Sequence, residues 1–268
     1  MSSIHSRGSL RAPENSIGPV LAGLHVRLRL YNAAMGLLHA LQGLAILILA
    51  NEFTLPVNAT FLQGPPGSAA LDSVRLVDVP VAWGVAVFLF LSAAFHLLIS
   101  GPTFFERYSS GLTHARNYFR WVEYSLSSSL MIVLIAMLTG ISDVAALIAL
   151  FGVNASMIFF GAVQEKYERP GGSLTPFWLG CIAGTVPWVA IGFYLFTPGS
   201  AAEPPGFVYG IFISLFIFFN VFALNMWLQY RRVGRWRNYL HGERVYVLLS
   251  LVAKSALAWQ VFGGTLAL

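Results

Sequence analysis

Lys254 is the single charge in the apolar run from Tyr246 to Leu268, and Ser250 precedes it by one helical turn. An ammonium inside a membrane helix is costly to keep, so such a lysine is read as functional and needs a partner. Two more charges, Arg120 and Glu123, interrupt another apolar stretch in the run RWVEYSLSSSL. Counting a helical rise of about 1.5 Å per residue from segment starts near 113 and 244, Glu123 and Lys254 lie at matching depth, roughly 15 Å in. A carboxylate and an ammonium about 4 Å apart attract by about 4 kcal/mol at an effective dielectric of about 20, which keeps both ionised against moderate desolvation. Arg120, one turn before Glu123 on the same face, is placed to hold that carboxylate or a bound water. Taken alone, these residues fit two readings equally: an ion pair that pins two helices, or a reactive lysine.

The surroundings of Lys254 favour reactivity. Ser250 shares its helix face and can present a hydroxyl to whatever the lysine bears, although a membrane serine commonly bonds back to its own helix. A desolvated lysine beside a carboxylate suits a Schiff base with an aldehyde, because the protonated imine keeps the charge while extending it into a ligand. Phe216, Phe218, Phe219 and Phe222 would line a slot for a flat polyene, while packing or lipid contact is the commoner role of such residues.

These residues must be positioned by membrane helices. Of 268 residues, 57% are hydrophobic and 10% charged, which excludes an ordinary soluble domain. At about twenty apolar residues per crossing, roughly seven spans are predicted, near 29–51, 79–100, 113–139, 143–164, 174–197, 207–230 and from 244 onward. They form one domain, 29–268, after a polar N-terminal segment, 1–28, that lacks the apolar core of a signal peptide, so the first span directs insertion. The 52–78 connection holds FTLPVNATFL and SVRLVDV on either side of QGPPGSAALD, a hairpin signature, with Pro56, Pro65 and Pro66 limiting its regularity. GPTFFER reads as a short turn, and the Asn58-Ala59-Thr60 sequon as a chance match.

Loop charges orient the bundle. With the N-terminus inside, the cytoplasmic segments collect Arg107, Arg116, Lys166, Arg169, Arg231, Arg232, Arg235, Arg237 and Arg244, with four N-terminal arginines, against Arg75 alone outside. This predicts a multi-pass plasma-membrane protein with a cytoplasmic N-terminus and an outside C-terminus. The net charge of +5 therefore reflects topology and not nucleic-acid binding. After this sorting Arg120, Glu123 and Lys254 are the only charges left within spans. His39 and His96 fall in the cytoplasmic half and, with Arg120, make a candidate hydrated cluster that handles protons. No metal-ligand spacing occurs, and the lone Cys181 offers neither a disulfide nor a thiolate site.

The runs LHALQG, FHL, RWVEYSLSSSLMIVLIAMLTGI, FGVNASM and SLVAKSA, with seven spans and an inside N-terminus, resemble heliorhodopsin over residues about 29 to 266. The resemblance implies an all-α, rhodopsin-like seven-transmembrane bundle with a hairpin in the first outside loop. It implies all-trans retinal on Lys254 as a protonated Schiff base, with Glu123 as counterion and Ser250 near the linkage. Asn154, Met157, Phe216, Phe219 and Asn220 match positions around the chromophore. His39 and His96 match two buried histidines of a water-containing cavity, and Arg120 the arginine before the counterion. The implied protein is a homodimeric, non-enzymatic light sensor with a slow photocycle, contacting membrane lipid and a cytoplasmic signalling partner. A pump is disfavoured because the span-three stretch LMIVLIAML lacks a proton donor and no span contains a second acid. The competing readings are a light-driven transporter or channel, and a non-photochemical transporter or scaffold. The basic loop 231–244 is a candidate partner surface, with a membrane anchor as its commoner role.

Overall fold

A computed structural model describes residues 17–68, 71–197 and 203–266. The described elements are α1 (Ile17–Leu49), β1 (Thr54–Leu62), β2 (Leu71–Pro80), α2 (Val81–Ser100), α3 (Pro102–Thr113), α4 (Tyr118–Leu138), α5 (Val144–Tyr167), α6 (Thr175–Phe196), α7 (Gly206–Tyr230) and α8 (Tyr239–Val261), ending in a π-helical turn, Phe262–Leu266. Every one of these α-helices but α3 is long and apolar enough to cross a membrane, giving seven spans among the described residues. The protein is a multi-pass membrane bundle. Its lipid-facing surface is apolar, with Leu37, Ile48, Ile148, Ile182, Val189 and Phe193 all exposed.

The expected hairpin is present. β1 and β2 pair antiparallel from Thr54↔Pro80 to Leu62↔Leu71, with an irregularity between Val57 and Asn58. Val57 and Ala59 are buried, while Val74, Leu76 and Val77 on the second strand are exposed. Asn58 sits at the irregularity, where its backbone amide donates to Ser142 O (2.8 Å) and its side-chain amide to Ser142 Oγ (3.0 Å). The hairpin is thereby fastened to the α4–α5 connection. Connectivity puts α3, the α5–α6 connection and the α7–α8 turn at the opposite end, which gathers the arginine-rich segments.

Three boundaries differ from the sequence reading. α1 begins at Ile17, so the limit at residue 28 falls inside a helix; residues 1–16 of the expected polar segment lie outside the described residues. GPTFFER opens a helix and not a turn: Pro102 takes the first helical position, and Phe105, Tyr108, Ser109 and Leu112 bury one face at i, i+3, i+4 and i+7. Burial pushes the Tyr108 phenol above its ordinary value. Span three consequently starts at Tyr118, where Asn117 caps the helix by accepting from the Arg120 amide at 3.1 Å. α8 starts earlier than expected, at Tyr239, behind its own cap Asn238.

The hairpin half of the bundle is packed dry. Phe88, Leu89, Ile132, Ile135, Ile211, Leu215, Leu257 and Val261 are fully buried in one apolar cluster. In the other half, glycines admit bulky side chains. A Cβ on Gly161 of α5 would lie 2.5 Å from the Trp121 ring of α4, and one on Gly184 of α6 2.4 Å from the Met157 sulfur. Gly161→Ala is expected to destabilise the protein by about 1–3 kcal/mol through overpacking. Gly152→Ala, which meets nothing within 4 Å, is expected to be neutral or to stabilise by about 0.5–1 kcal/mol. Thermal unfolding in detergent compares the two.

Candidate functional site

Lys254 and Glu123 meet. On α8, Lys254 Nζ donates to Glu123 Oε1 on α4 at 2.7 Å and to Ser250 Oγ, one turn earlier, at 2.8 Å. The same carboxylate oxygen accepts from Ser92 Oγ of α2 at 2.6 Å. Lys254, Glu123, Ser250 and Ser92 are all at most 5% exposed. At such depth the pair persists because attraction and hydrogen bonds offset the desolvation of each partner. The ammonium also lies 5.1 Å from the centre of the Tyr124 ring, whose hydroxyl donates to Tyr246 O at 2.9 Å. Ser92 went unread in the sequence, although it lies one turn before His96 on the same face.

Lys254 opens onto a cavity of about 300 Å³. Ser250, Trp121, Tyr124, Met131, Met157, Gly184, Trp188, Phe216, Phe219, Asn220 and Phe222 are among its walls. Trp188 meets the Phe216 and Phe219 rings edge-on, each at 5.4 Å. Asn220 donates to Phe216 O at 2.8 Å. Two expected members stand elsewhere. Phe218 packs against the apolar core. Asn154 is a wall support: its amide donates to Ser128 and Ser129 hydroxyls at 2.9 and 3.0 Å, and Ser128 lines the cavity. A largely apolar, aromatic cavity at the lower end of the small-molecule range of about 300–1,000 Å³, with one amine at its wall, fits an apolar aldehyde. Retinal fits this donor set and lining.

His39 and His96 stack, with ring centres 5.8 Å apart and planes 10° from parallel. His39 is fully buried and neither ring nitrogen has a partner among the described residues. His96 Nδ1 lies 2.9 Å from Asn32 Oδ1. A second cavity of about 30 Å³ is bordered by His96, Asn32, Tyr108, Arg120, Glu123 and Glu243, room for about one water.

Arg120 corrects the charge inventory. Its guanidinium does not hold Glu123; it pairs with Glu165 of α5 and Glu243 of α8. The sequence places both acids in connections, yet both lie inside spans and are at most 5% exposed. The statement that no span holds a second acid is therefore overturned. The reason is that α5 runs on to Tyr167 and α8 begins at Tyr239, so terminal turns carry the acids inward to a guanidinium that needs them. Trp121 Nε1 donates to Glu165 Oε2 at 2.6 Å, and Tyr239 Oη to Glu165 Oε1 at 2.9 Å. The Trp121 and Tyr246 rings flank the guanidinium at 4.5 and 4.1 Å. A signal existed: Glu243, Val247, Ser250 and Lys254 fall at i, i+4, i+7 and i+11, one face of one helix.

A sequence model of the heliorhodopsin family matches residues 28–266. No curated protein shows a significant sequence match. Among solved structures, the crystal structure of the transmembrane domain of Salpingoeca rosetta rhodopsin phosphodiesterase aligns with TM-score 0.62 and 12% identity, over 95% of this chain and 89% of that one. At that identity the likeness speaks for the fold: a rhodopsin-like seven-helix bundle. Arg120→Ala, which strands two buried carboxylates, is expected to cost about 3–5 kcal/mol. Glu165→Gln is expected to cost less, because it relieves the excess of carboxylate over guanidinium. Unfolding midpoints of the two variants check the order.

Proposed function

The chain belongs to the heliorhodopsin family, and on that premise we propose that it is a light sensor carrying all-trans retinal on Lys254, without net ion pumping. The observation that carries this reading is the geometry of Lys254: one buried amine, held by Glu123 at 2.7 Å, at the wall of an aromatic cavity large enough for the polyene. When bound, retinal supplies visible absorption and a double bond that light isomerises. Lys254 Nζ would hold the aldehyde carbon as an imine, with loss of water, and would keep its positive charge. Glu123 neutralises that charge, and Ser92 and Ser250 fix the orientation of the pair. Trp121, Trp188, Phe216 and Phe219 would confine the polyene, Met157 lines the cavity beside them, and Asn220 adds a polar group to the wall.

A proton leaving Lys254 Nζ has Glu123 Oε1 as its first acceptor. Beyond Glu123 the small cavity leads to His96, which stacks on His39. Arg120, clamped between Glu165 and Glu243, closes that side with an ion-paired knot. Toward the hairpin, the buried α4 residues from Met131 to Met137 are apolar and packed in the core. Both routes out are obstructed, which supports a proton retained within the bundle and a slow return.

The arginine-rich end is assigned to the cytoplasm on charge asymmetry, placing the N-terminus inside, the C-terminus outside, and the output toward a cytoplasmic partner. The exposed apolar residues Val74, Leu76 and Val77 of the hairpin support a homodimer. No enzymatic activity is assigned, in keeping with a family that is generally non-enzymatic.

Purified protein supplied with all-trans retinal is expected to develop a visible band that Lys254→Ala abolishes. Glu123→Gln is expected to retain the pigment and move the band to longer wavelength. A band that survives Lys254→Ala contradicts the reading.

A further inference from the structure

Asn32 of α1 is fully buried between a helix carbonyl, a tyrosine and a histidine. Its amide nitrogen donates to Leu28 O at 3.0 Å and to Tyr108 Oη at 3.3 Å. A carbonyl oxygen only accepts, so the group facing Leu28 O must be the NH₂, and the side-chain oxygen must face His96. That oxygen has no hydrogen to give. The 2.9 Å contact therefore requires the hydrogen to sit on His96 Nδ1.

We propose that Asn32 is a positioning residue that holds neutral His96 as its Nδ1–H tautomer, leaving Nε2 as the proton-accepting atom beside the counterion. Without this partner an imidazole side chain favours hydrogen on Nε2, which would leave the wrong atom for acceptance. Three observations on separate elements converge. Leu28 O on α1 orients the amide, and Tyr108 on α3 holds its second hydrogen in place. His96 on α2 borders the same small cavity as Glu123, with room for about one bridging water. His39, whose nitrogens have no partner among the described residues, stacks on the His96 ring without competing for Nδ1. The tautomer sets the direction in which a proton from Glu123 can be taken up.

This inference rests on the photoreceptor reading for its consequence but not for its structural content, and the experiment separates the two. Histidine-15N-labelled protein, reconstituted with all-trans retinal and kept dark, is examined by NMR, with His96→Gln used to assign the signal. Wild type is expected to show His96 with a protonated Nδ1 and a bare Nε2. Asn32→Leu is expected to lose that tautomer. Asn32→Asp keeps an acceptor while losing both donors, and is expected to retain it. Tyr108→Phe removes only the tether and is expected to leave it unchanged, so a merely structural role of Asn32 predicts the opposite pattern. If Asn32→Leu does not fold, Asn32→Ala, which also removes the acceptor, is expected to lose the tautomer in its place, and retention there overturns the proposal. In flash experiments Asn32→Leu is expected to slow the light-driven loss of the Lys254 proton by on the order of a hundredfold, the lower end for a positioned base. Hydrogen on His96 Nε2 in dark wild type, whether alone or together with hydrogen on Nδ1, overturns the proposal. Absence of a visible band overturns the photoreceptor reading, while the tautomer in the same sample still decides the role of Asn32.

Discussion

The buried ion pair between Lys254 and Glu123 is the constraint on which the rest of the bundle depends. Neither charge would be tolerated alone at 3% and 5% exposure, and each makes the other admissible. A single carboxylate oxygen receives both the lysine and Ser92, so three helices, α2, α4 and α8, have their rotations set at one point. The amine is held against one wall of the cavity, and α6 and α7, which bring no charge to this point, contribute Trp188, Phe216 and Phe219 to its aromatic walls.

A second polar layer lies toward the arginine-rich end. Arg120 faces two carboxylates, and the donors of Trp121, Tyr239 and Asn117 share the excess negative charge. This knot ties α4, α5 and α8 toward the arginine-rich end. Between the two layers lie the histidine pair and a cavity of about 30 Å³. On the other side of Lys254 the bundle is closed by aliphatic packing and capped by the hairpin through Asn58. The resulting asymmetry is polar and enclosed on one side, dry on the other, and suits a proton that moves a short distance and comes back.

Much of this was legible in sequence because the membrane leaves few choices. Hydropathy delimits spans, and a charge left within one must find a partner at its own depth, so Glu123 and Lys254 pair on sequence alone. The hairpin was legible from β-branched runs around a Gly-Pro turn. One group of illegible features lay where a helix outlasts its apolar stretch. Glu165 and Glu243 look like loop residues because polar neighbours surround them, yet helix continuation turns them inward. α3 was hidden by a proline and glycine that signal a turn but here start an amphipathic helix. Ser92, Asn32 and the supporting role of Asn154 were missed for another reason: uncharged polar residues are common in membrane helices, and only their partners show what they do.

The central claim is that light moves a proton within a closed cluster and none across the membrane. Flash photolysis of the protein in oriented membranes, with a soluble pH indicator and membrane current recorded together, tests it most directly. The account predicts a near-ultraviolet-absorbing species that forms and slowly decays while pH and current stay flat. A net pH change abolished by a protonophore, or a light-gated current, would contradict it.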